Sequence, residues 1–374
     1  MKTKFWMIGW VLVWGLVACN GRGVAPLEPQ ATGVPTAVSE RCGDKSQLAT
    51  ELRFFNWGSY MDPDILAQFE AECGVKVHQD IYSSNEEMIA KIQSGNAGYD
   101  VVVPTDHAIQ TMIGRGLLRE LTMGNIPNFA NLKASQIGLY YDPENKYSVP
   151  YQWGVTGIAY NTAAFPTPPT SWSVLFDPTE LCEHTGFASL LDDEREVLGA
   201  ALTYLGYEYN DTDSAHHAEA MALITASKPC LAGFDSDVFN LTLVSEEILL
   251  AHAWSGGVAQ ARSENDKVAF FIPEEGGAIW QDNLAIPVDA PSPYTAEIFI
   301  NYLLLPDIGA QLSNYTYYFT PNEAAEPLLA TDYFAILESG GMLIAPETYE
   351  RLEWIKRNDE TVIFSDTWTT VKAR

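Results

Sequence analysis

The fold is decided by the stretch that opens with Leu52-Arg53-Phe54-Phe55-Asn56-Trp57, a run with the pattern of a buried strand. Further strand-like runs follow at 75–82 and 99–104, and helix-like segments separate them. The first helix begins at the N-cap pair Asp62-Pro63, and the second begins at a capping box that opens with Ser84. Strand, helix, strand, helix, strand predicts a parallel α/β sheet, in which ligands lie beyond the carboxyl ends of the strands.

The rest of the chain continues this alternation. A long extended run that contains two glycines covers 147–161. Further strands are predicted at 186–191, 231–234, 248–254 and 284–287, and further helices at 194–206, 296–304, 307–313 and 348–357. The pattern therefore predicts an α/β protein throughout.

Length and composition narrow the class of protein. A chain of 374 residues is longer than one hydrophobic core usually supports, which predicts two lobes. With 47% hydrophobic and 19% charged residues, the chain is expected to fold and to be soluble. A net charge of −28 argues against nucleic acid or an anionic membrane surface as the main partner, and it favours cationic ligands.

The N-terminus predicts export and lipidation. A basic start precedes an apolar run, 5–17, that is too short to span a bilayer comfortably. The following Leu16-Val17-Ala18-Cys19 resembles the bacterial lipobox, in which the cysteine is diacylated and becomes the mature N-terminus. Residues 1–18 are therefore predicted to be a lipoprotein signal peptide, and residues 19–47 a flexible tether. The folded body is expected outside the cytoplasmic membrane, in the periplasm or on the outer face of the cell membrane. The alternative to a cleaved signal peptide is that the N-terminal apolar run stays as an uncleaved anchor helix.

The remaining cysteines predict disulfides. Cys42, Cys73, Cys182 and Cys230 are an even number in an exported chain, and they permit three connectivities. Cys42 precedes the first strand and Cys73 ends the first helix, whereas Cys182 and Cys230 each precede a strand-like run. These positions favour Cys42–Cys73 and Cys182–Cys230, with free thiols as the alternative. The spacing indicates no zinc site, and no metal or other cofactor is expected.

A second stretch predicts the chemistry of a binding site. After two glycines, the run Ala278-Ile279-Trp280-Gln281-Asp282 has the period of a strand, which places Trp280 and Asp282 on the same side. An indole face beside a carboxylate suits a small organic cation. The alternative is a strand with one buried Trp and one solvated Asp. Further candidates of the same two kinds are Trp57, Tyr60, Asp193, Glu196, Trp254 and Tyr318. Asp193 and Glu196 share one face of a helix start, where acids are also common without any ligand.

Several longer motifs follow one another in a characteristic order. They are Asn56-Trp57-Gly58-Ser59-Tyr60, Tyr82-Ser83-Ser84-Asn85-Glu86, Gly98-Tyr99-Asp100-Val101-Val102-Val103-Pro104, Val149-Pro150-Tyr151-Gln152-Trp153-Gly154, Leu191-Asp192-Asp193-Glu194-Arg195-Glu196, Trp280-Gln281-Asp282-Asn283-Leu284-Ala285-Ile286-Pro287 and Thr320-Pro321-Asn322. From about residue 52 to residue 372, the chain thereby resembles the solute-binding proteins of bacterial polyamine ABC importers, the spermidine/putrescine-binding group.

The resemblance implies a fold like that of the type II periplasmic binding proteins, a two-lobe α/β clamshell with three hinge crossovers. Lobe one is expected to take residues 50–154 and 279–328, and lobe two residues 160–274 and 333–374. The crossings would then lie at 154–160, 274–279 and 328–333. The first two contain glycines in extended sequence, which suits segments that absorb a hinge rotation.

The resemblance also implies a function and a ligand set. A monomeric, lipid-anchored protein would capture spermidine or putrescine between its lobes and deliver it to an ABC permease in the cytoplasmic membrane. Carried over by position, the aromatic box comprises Trp57, Tyr60, Trp254, Trp280 and Tyr318. The carboxylates that accept the ammonium hydrogens are Asp193, Glu196 and Asp282, and Thr105 stands where the family has a small hydroxyl.

A few positions depart from the family pattern. Ser59 replaces an acid, His107 replaces a Tyr of spermidine binders, and Ile355 falls where some members have a Gln. After Trp254 the chain also lacks the extra Asp of putrescine-selective relatives. These departures put the identity of the polyamine in question, not the class. If His107 lines the cleft, its protonation would oppose a cationic ligand; a hydrogen-bonded loop histidine is the alternative.

Two other functions compete with polyamine binding. An extracellular enzyme that depends on carboxylates is disfavoured, because Asp193 and Glu196 would sit side by side and would not flank a scissile bond. The motifs HExxH, GxSxG and GxxxxGK do not occur either, so no enzymatic activity is expected. A binding protein for a different organic cation keeps the aromatic and acidic residues in the same roles.

Overall fold

The computed structural model describes residues 41–357 and 361–373. The predicted signal peptide, the lipidation site Cys19 and the tether up to residue 40 lie outside the described residues. Within the described ranges, no helix is long and apolar enough to cross a membrane.

A ten-stranded mixed sheet organises the fold. The strands are β1 Glu51–Trp57, β2 Lys76–Tyr82, β3 Val101–Val102, β4 Ser148–Asn161, β5 Ala188–Leu190, β6 Gly233–Phe234, β7 Leu250–Trp254, β8 Val268–Phe271, β9 Gly277–Ala285 and β10 Leu352–Trp354. Their order is β2-β1-β3-β9-β4-β7-β5-β6, while β8 pairs with β4 and β10 with β9. Strands β1, β2 and β3 run parallel to one another, as do β5, β6 and β7. The predicted parallel α/β units are therefore present on both sides of β4.

Strand β4 connects the two halves of the sheet. Its first part, from Ser148 to Val155, pairs with β9. Its second part, from Thr156 to Asn161, pairs with β7 and β8. One continuous, fully buried strand therefore crosses between two sets of neighbours.

Helices cover the two faces of the sheet. They are α1 Pro63–Cys73, α2 Asn85–Gln93, α3 Asp106–Gly114, α4 Ser173–Phe176, α5 Pro178–Leu181, α6 Glu194–Tyr204, α7 Ser214–Ser227, α8 Phe239–Val244, α9 Ser255–Glu264, α10 Pro293–Leu303, α11 Pro306–Thr316, α12 Thr331–Gly340, α13 Pro346–Tyr349 and α14 Val362–Ala373. Short 3-10 turns lie at Lys45–Gln47, Met123–Asn125, Pro127–Asn131, Ala134–Gln136, Cys182–His184, Lys228–Cys230 and Glu326–Leu328. The predicted caps of α1 and α2 form: Asp62 accepts from the Asp64 N–H, and Ser84 accepts from the Glu87 N–H.

The buried apolar side chains form separate cores on the two sides of β4. One core contains residues of β5, β7, α6 and α9, together with the C-terminal residues Tyr333, Leu337, Phe364 and Val371. The other side comprises two adjoining clusters, built from β1 to β3, α1 to α3, α10 and α11. Residues distant in sequence thus pack into the same core, while the two sides share the crossing strand.

Two disulfides are present. One joins Cys42 to Cys73, with a Cα–Cα distance of 5.4 Å, and the other joins Cys182 to Cys230, at 5.1 Å. This is the pairing that the sequence favours. Strands β5 and β6, which follow Cys182 and Cys230, are parallel neighbours.

Two sequence-based predictions differ from the structure. The helix predicted at 348–357 is wrong: only Pro346–Tyr349 is helical, and Leu352–Trp354 is a strand that pairs with Gly277–Ile279. The predicted tether also extends too far. Cys42 is fully buried, and Arg41 forms ion pairs with Glu72 and Asp307, so residues 41–47 are held against the folded body.

Candidate functional site

A cavity of about 530 Å³ lies where the carboxyl ends of parallel strands from both halves of the sheet meet. Residues after β1, β2 and β3 face residues after β5, β6 and β7 across it. All ten ligand-binding residues predicted from the sequence line this cavity: Trp57, Tyr60, Thr105, His107, Asp193, Glu196, Trp254, Trp280, Asp282 and Tyr318. The structure therefore gathers the predicted set in one place.

Aromatic rings form much of the cavity wall. The rings of Trp57 and Trp254, which come from opposite sides of β4, approach edge-on with centroids 6.3 Å apart. The ring centroid of Tyr318 lies 5.0 Å from that of Tyr60 and 5.4 Å from that of Trp280. Such a wall offers several π faces to methylene groups and to cations.

Two glycines make this arrangement of rings possible. A Cβ on Gly154 would lie 2.8 Å from the ring of Trp280, and a Cβ on Gly256 would lie 2.4 Å from the ring of Tyr318. Both distances are shorter than any real side chain tolerates. The backbone at these two positions therefore has to be free of side chains for the rings to occupy their places.

A hydrogen-bonded chain fixes two of the indoles to one carboxylate. The indole N–H of Trp280 donates to Oγ1 of Thr156 at 3.1 Å, and the Thr156 hydroxyl donates to Oε1 of Glu196 at 2.9 Å. The indole N–H of Trp254 donates to the same Oε1 at 3.0 Å. Oε2 of Glu196 accepts from the Tyr209 hydroxyl at 2.7 Å. Glu196 is thus largely satisfied within the protein, and it orients rings as well as supplying charge.

Asp282 is a buried carboxylate of the cavity wall. It is 5% exposed, and its Oδ1 has no hydrogen-bond partner among the described residues. Burial raises the pKa of Asp282 to about 7, although Thr105 and Tyr60 beside it partly oppose this shift. The buried Tyr60 hydroxyl lies close enough to Asp282 to affect its pKa, but within the described ranges it makes no hydrogen bond of good geometry. An unsatisfied buried carboxylate is costly, and a cationic ligand would remove that cost.

Asp193 begins helix α6 and has a different environment. Its Oδ1 accepts from the backbone N–H groups of Arg195 and Glu196, at 2.8 and 3.1 Å, so it is the N-cap that the sequence predicts. Burial, followed by the charges of Glu86 and Glu196, raises the pKa of Asp193 to about 7. Burial also raises the pKa of Glu196, which its three donors partly offset. Acidic groups this close repel one another in the absence of a cation.

The cavity is more acidic than the sequence reasoning anticipated. Glu87, at the start of α2, and Asp237, after β6, also line it, which brings the carboxyl groups to five. Neither Lys nor Arg occurs among the described residues that line the cavity.

The sequence reasoning also missed two aromatic residues of the cavity wall, Tyr82 and Phe239. Tyr82 had a usable signal, because it ends β2 directly opposite Trp57 in the parallel register.

The positions that depart from the family pattern also lie at the cavity. Ile355 is buried in its wall, where its side chain offers no hydrogen bond. Ser59 is exposed and holds a left-handed backbone conformation, with φ at +53°. His107 is 3% exposed, and its Nδ1 lies 3.3 Å from Oδ1 of Asp106. It is therefore a hydrogen-bonded histidine that also faces the cavity.

The arrangement suits reversible binding of an organic cation. Within residues 41–357 and 361–373, no three His, Cys, Asp or Glu side chains converge in a way that would hold a metal ion. Aromatic faces supply contact for an apolar chain, and the carboxylates supply acceptors for positively charged donors.

Comparisons with known proteins identify the family. The family model described as bacterial extracellular solute-binding protein matches residues 64–334. The putrescine/cadaverine-binding protein of Pseudomonas aeruginosa is 35% identical over 341 residues, covering 88% of this chain and 96% of that protein. The spermidine/putrescine-binding periplasmic protein of Escherichia coli is 36% identical over 305 residues, covering 81% of this chain and 86% of that protein.

A solved structure extends the similarity to the fold. A putative spermidine/putrescine ABC transporter protein from Listeria monocytogenes superposes with a TM-score of 0.81 at 33% identity, covering 87% of this chain and 99% of that one. The predicted mixed α/β binding-protein fold is thereby confirmed, while the positions of its hinges stay a prediction. The two relatives named above are binding proteins, which agrees with the expectation of a non-enzymatic function. The chain belongs to the bacterial extracellular solute-binding proteins, within the spermidine/putrescine-binding family.

Proposed function

We propose that this protein captures a polyamine in the aromatic and acidic cavity and delivers it to the permease of an ABC importer. One observation carries the proposal: Oδ1 of the buried Asp282 carboxylate has no hydrogen-bond partner among the described residues, and it lies in a cavity lined by five carboxyl groups and by Trp57, Trp254 and Trp280. A linear cation with an ammonium at each end and methylenes between them satisfies both features at once. The names of the relatives point to the same class of ligand.

The ten proposed ligand-binding residues have different roles, which follow from the chemistry of their side chains. Asp282 and Asp193 accept ammonium hydrogens, because each has an oxygen that the hydrogen bonds described above leave free. Glu196 contributes charge and holds Trp254 and Trp280 in place. The rings of Trp57, Tyr60 and Tyr318, with those two indoles, pack around the methylenes. Thr105 and His107 complete the wall on the β3 side.

The cavity is proposed to lie between two lobes that close on the ligand. Lobe one takes 50–154 and 279–328, and lobe two takes 160–274 and 333–374. The separate apolar cores on the two sides of β4 support this division. The crossing of β4 at Val155 and Thr156 supports a hinge in the segment 154–160. The segments 274–279 and 328–333 are proposed as the other two hinges.

The protein is further proposed to act as a monomer outside the cytoplasmic membrane, anchored by a lipid on Cys19. The lipobox-like sequence before Cys19 supports the anchor. Metabolic labelling with a palmitate analogue tests it, since a Cys19→Ser variant should lose the label.

Thermal unfolding of a chain that begins at Arg41 tests the ligand class. Putrescine, cadaverine, spermidine, spermine and arginine are added separately at millimolar concentration. A ligand at about 1,000 times its Kd stabilises the folded protein by about 4 kcal/mol, which raises the Tm by several degrees. At least one polyamine should give this shift and arginine should give none. Asp282→Asn should lose most of the shift, whereas Asp64→Asn, at an exposed position outside the cavity and outside the proposed hinges, should keep it.

The opposite pattern would favour the competing candidate. A shift with arginine and none with polyamines would mean that the cavity accepts a different organic cation, and Ser59 and Ile355 would be the first positions to examine.

A further inference from the structure

Two side chains link the two sides of β4 at the cavity without any ligand. The first is Gln260, on helix α9. Its amide N–H group donates to the carbonyl oxygens of Ser59 and Thr316, at 3.3 and 3.2 Å. Helix α9 packs in the core that includes β5 and β7, whereas Ser59 and Thr316 belong to the side that includes β1 and α11.

The carbonyl acceptor at Ser59 belongs to a residue with an unusual backbone conformation. Ser59 holds φ at +53°, a conformation that non-glycine residues adopt rarely, in the loop between Trp57 and Tyr60. The other end of the Gln260 side chain is also fixed, because its Oε1 accepts from Nδ2 of Asn240 at 3.0 Å. The amide is therefore held in one orientation toward the carbonyl groups on the opposite side.

The second link is Arg357, three residues after strand β10. Its guanidinium binds Oε1 of Glu86, at the start of α2, and lies 3.7 Å from Oε1 of Glu194, at the start of α6. The Arg357 backbone N–H donates to Gln110 on helix α3. Burial, the largest single effect, pushes the pKa of Glu86 upward, but the charge and hydrogen bond of Arg357 together with His107 outweigh it and hold that pKa below its usual value. One cation thus joins carboxylates that belong to the two sides of the fold.

We propose that Gln260 and Arg357 are positioning residues that hold the cleft closed independently of the ligand. The inference deepens the proposed function, on which it rests for the assumption that the two sides move as lobes. Each residue makes contacts that exist only when the lobes are together, so each shifts the balance between closed and open forms toward the closed form. Gln260 also lines the cavity, so the ligand-free radius of gyration, and not the release rate alone, separates closure from a direct contact with the polyamine.

The two contacts therefore set how long a ligand stays bound. Release requires opening, and opening breaks both links. Removing either link should lower the closed-to-open ratio roughly five- to tenfold, the size expected for one good hydrogen-bonding group. The rate of polyamine release should rise by the same factor, while the association rate should change little.

Four single variants and two measurements test this proposal. Gln260→Met removes the amide donor, and Gln311→Met is its matched control, because Gln311 bonds Asp62 and Gln68 on its own side of β4. Arg357→Met removes the guanidinium, and Arg41→Met is its control, because Arg41 bridges Glu72 and Asp307 on one side. Stopped-flow tryptophan fluorescence gives the release rate, and small-angle scattering of the ligand-free proteins gives the radius of gyration.

The expected result separates positioning from mere stabilisation. Gln260→Met and Arg357→Met should release the polyamine five to ten times faster and show a larger ligand-free radius of gyration, with an unchanged radius at saturation. The controls should lower only the Tm. If both test variants match the wild-type release rate and ligand-free radius, the proposal is wrong and the contacts only stabilise the fold. If no polyamine binds the wild type but the ligand-free radius still differs, the proposed function fails while the closing contacts stand.

Discussion

Polyamine binding is expected to release protons from the cavity. Burial raises the pKa of Asp282 to about 7, and burial with the charges of Glu86 and Glu196 raises the pKa of Asp193 to about 7. A bound ammonium favours the ionised carboxylate and lowers both pKa values. Polyamine amino groups resemble the lysine side chain and stay protonated near neutral pH. The protons that leave on binding therefore come from the protein.

The size of the effect follows from the two pKa values. At pH 7 a carboxyl group with a pKa of about 7 is half protonated, so the two groups together release about one proton. Nearly two protons should leave at pH 6 and about 0.2 at pH 8. Ionised carboxylates are the binding form, so affinity is lost as the pH falls through 7. The Kd should be about 100-fold higher at pH 6 than at pH 8, roughly tenfold for each group.

Isothermal titration calorimetry measures both quantities. At one pH, the binding enthalpy in phosphate and in Tris differs in proportion to the protons released. Asp282→Asn removes one of the two groups and should halve the release, and Asp64→Asn, outside the cavity and the proposed hinges, should leave it unchanged. A His107→Gln variant separates any contribution of the histidine in the same cavity. A Kd that is constant from pH 6 to pH 8, with enthalpies that do not depend on the buffer, would refute the role of these carboxyl groups.

Three further predictions concern the structure around the cavity. Glu196→Gln cannot accept all three hydrogen bonds that Glu196 accepts, so it should lower the free energy of unfolding by about 1–3 kcal/mol and change the fluorescence of Trp254, both measured in urea titrations. His252 is fully buried with both ring nitrogens unpartnered in the described chain, and burial lowers its pKa to about 3. Its neutral form therefore stabilises the fold above pH 6.5, and this contribution is lost as the pH falls below 6.5, by about 2 kcal/mol at pH 5. His252→Leu should therefore show a smaller drop in urea midpoint than the wild type between pH 7 and pH 5. An equal drop in the two proteins would contradict the assignment. Replacing Cys182 and Cys230 together by Ser opens a loop with a sequence separation of 48 and should lower the free energy of unfolding by about 4 kcal/mol, measured by chemical denaturation. A decrease below about 1 kcal/mol would contradict this prediction.

Local signals predicted the N-terminal half of the fold well. The Asp62-Pro63 pair and Ser84 mark helix starts through contacts with residues two or three positions away, and the structure contains these contacts. The same holds for Asp193, whose side chain caps the helix that it precedes. Caps and strand periodicity depend on neighbouring residues, so a single sequence reveals them.

Features that depend on distant partners were not predictable in the same way. Leu352–Trp354 is a strand because Gly277–Ile279 offers it a free edge, and nothing within 348–357 reveals that partner. Glu87 and Asp237 face the same cavity although the chain between them passes through both halves of the sheet. The ten predicted site residues were found by resemblance to a family, since spacing alone relates only Trp280 to Asp282 and Asp193 to Glu196.

The central claim is that the cavity around Asp282 binds a polyamine, and calorimetric titration of the chain from Arg41 at pH 8 tests it most directly. Putrescine, cadaverine, spermidine and spermine are titrated in turn, with arginine as the cationic control. We predict one binding site for at least one polyamine, with a Kd at least 100 times lower than that of arginine and a large loss of affinity in Asp282→Asn. Equal, weak binding of all five cations, unchanged in Asp282→Asn, would mean that the acidic cavity only attracts positive charge and that the protein has another ligand.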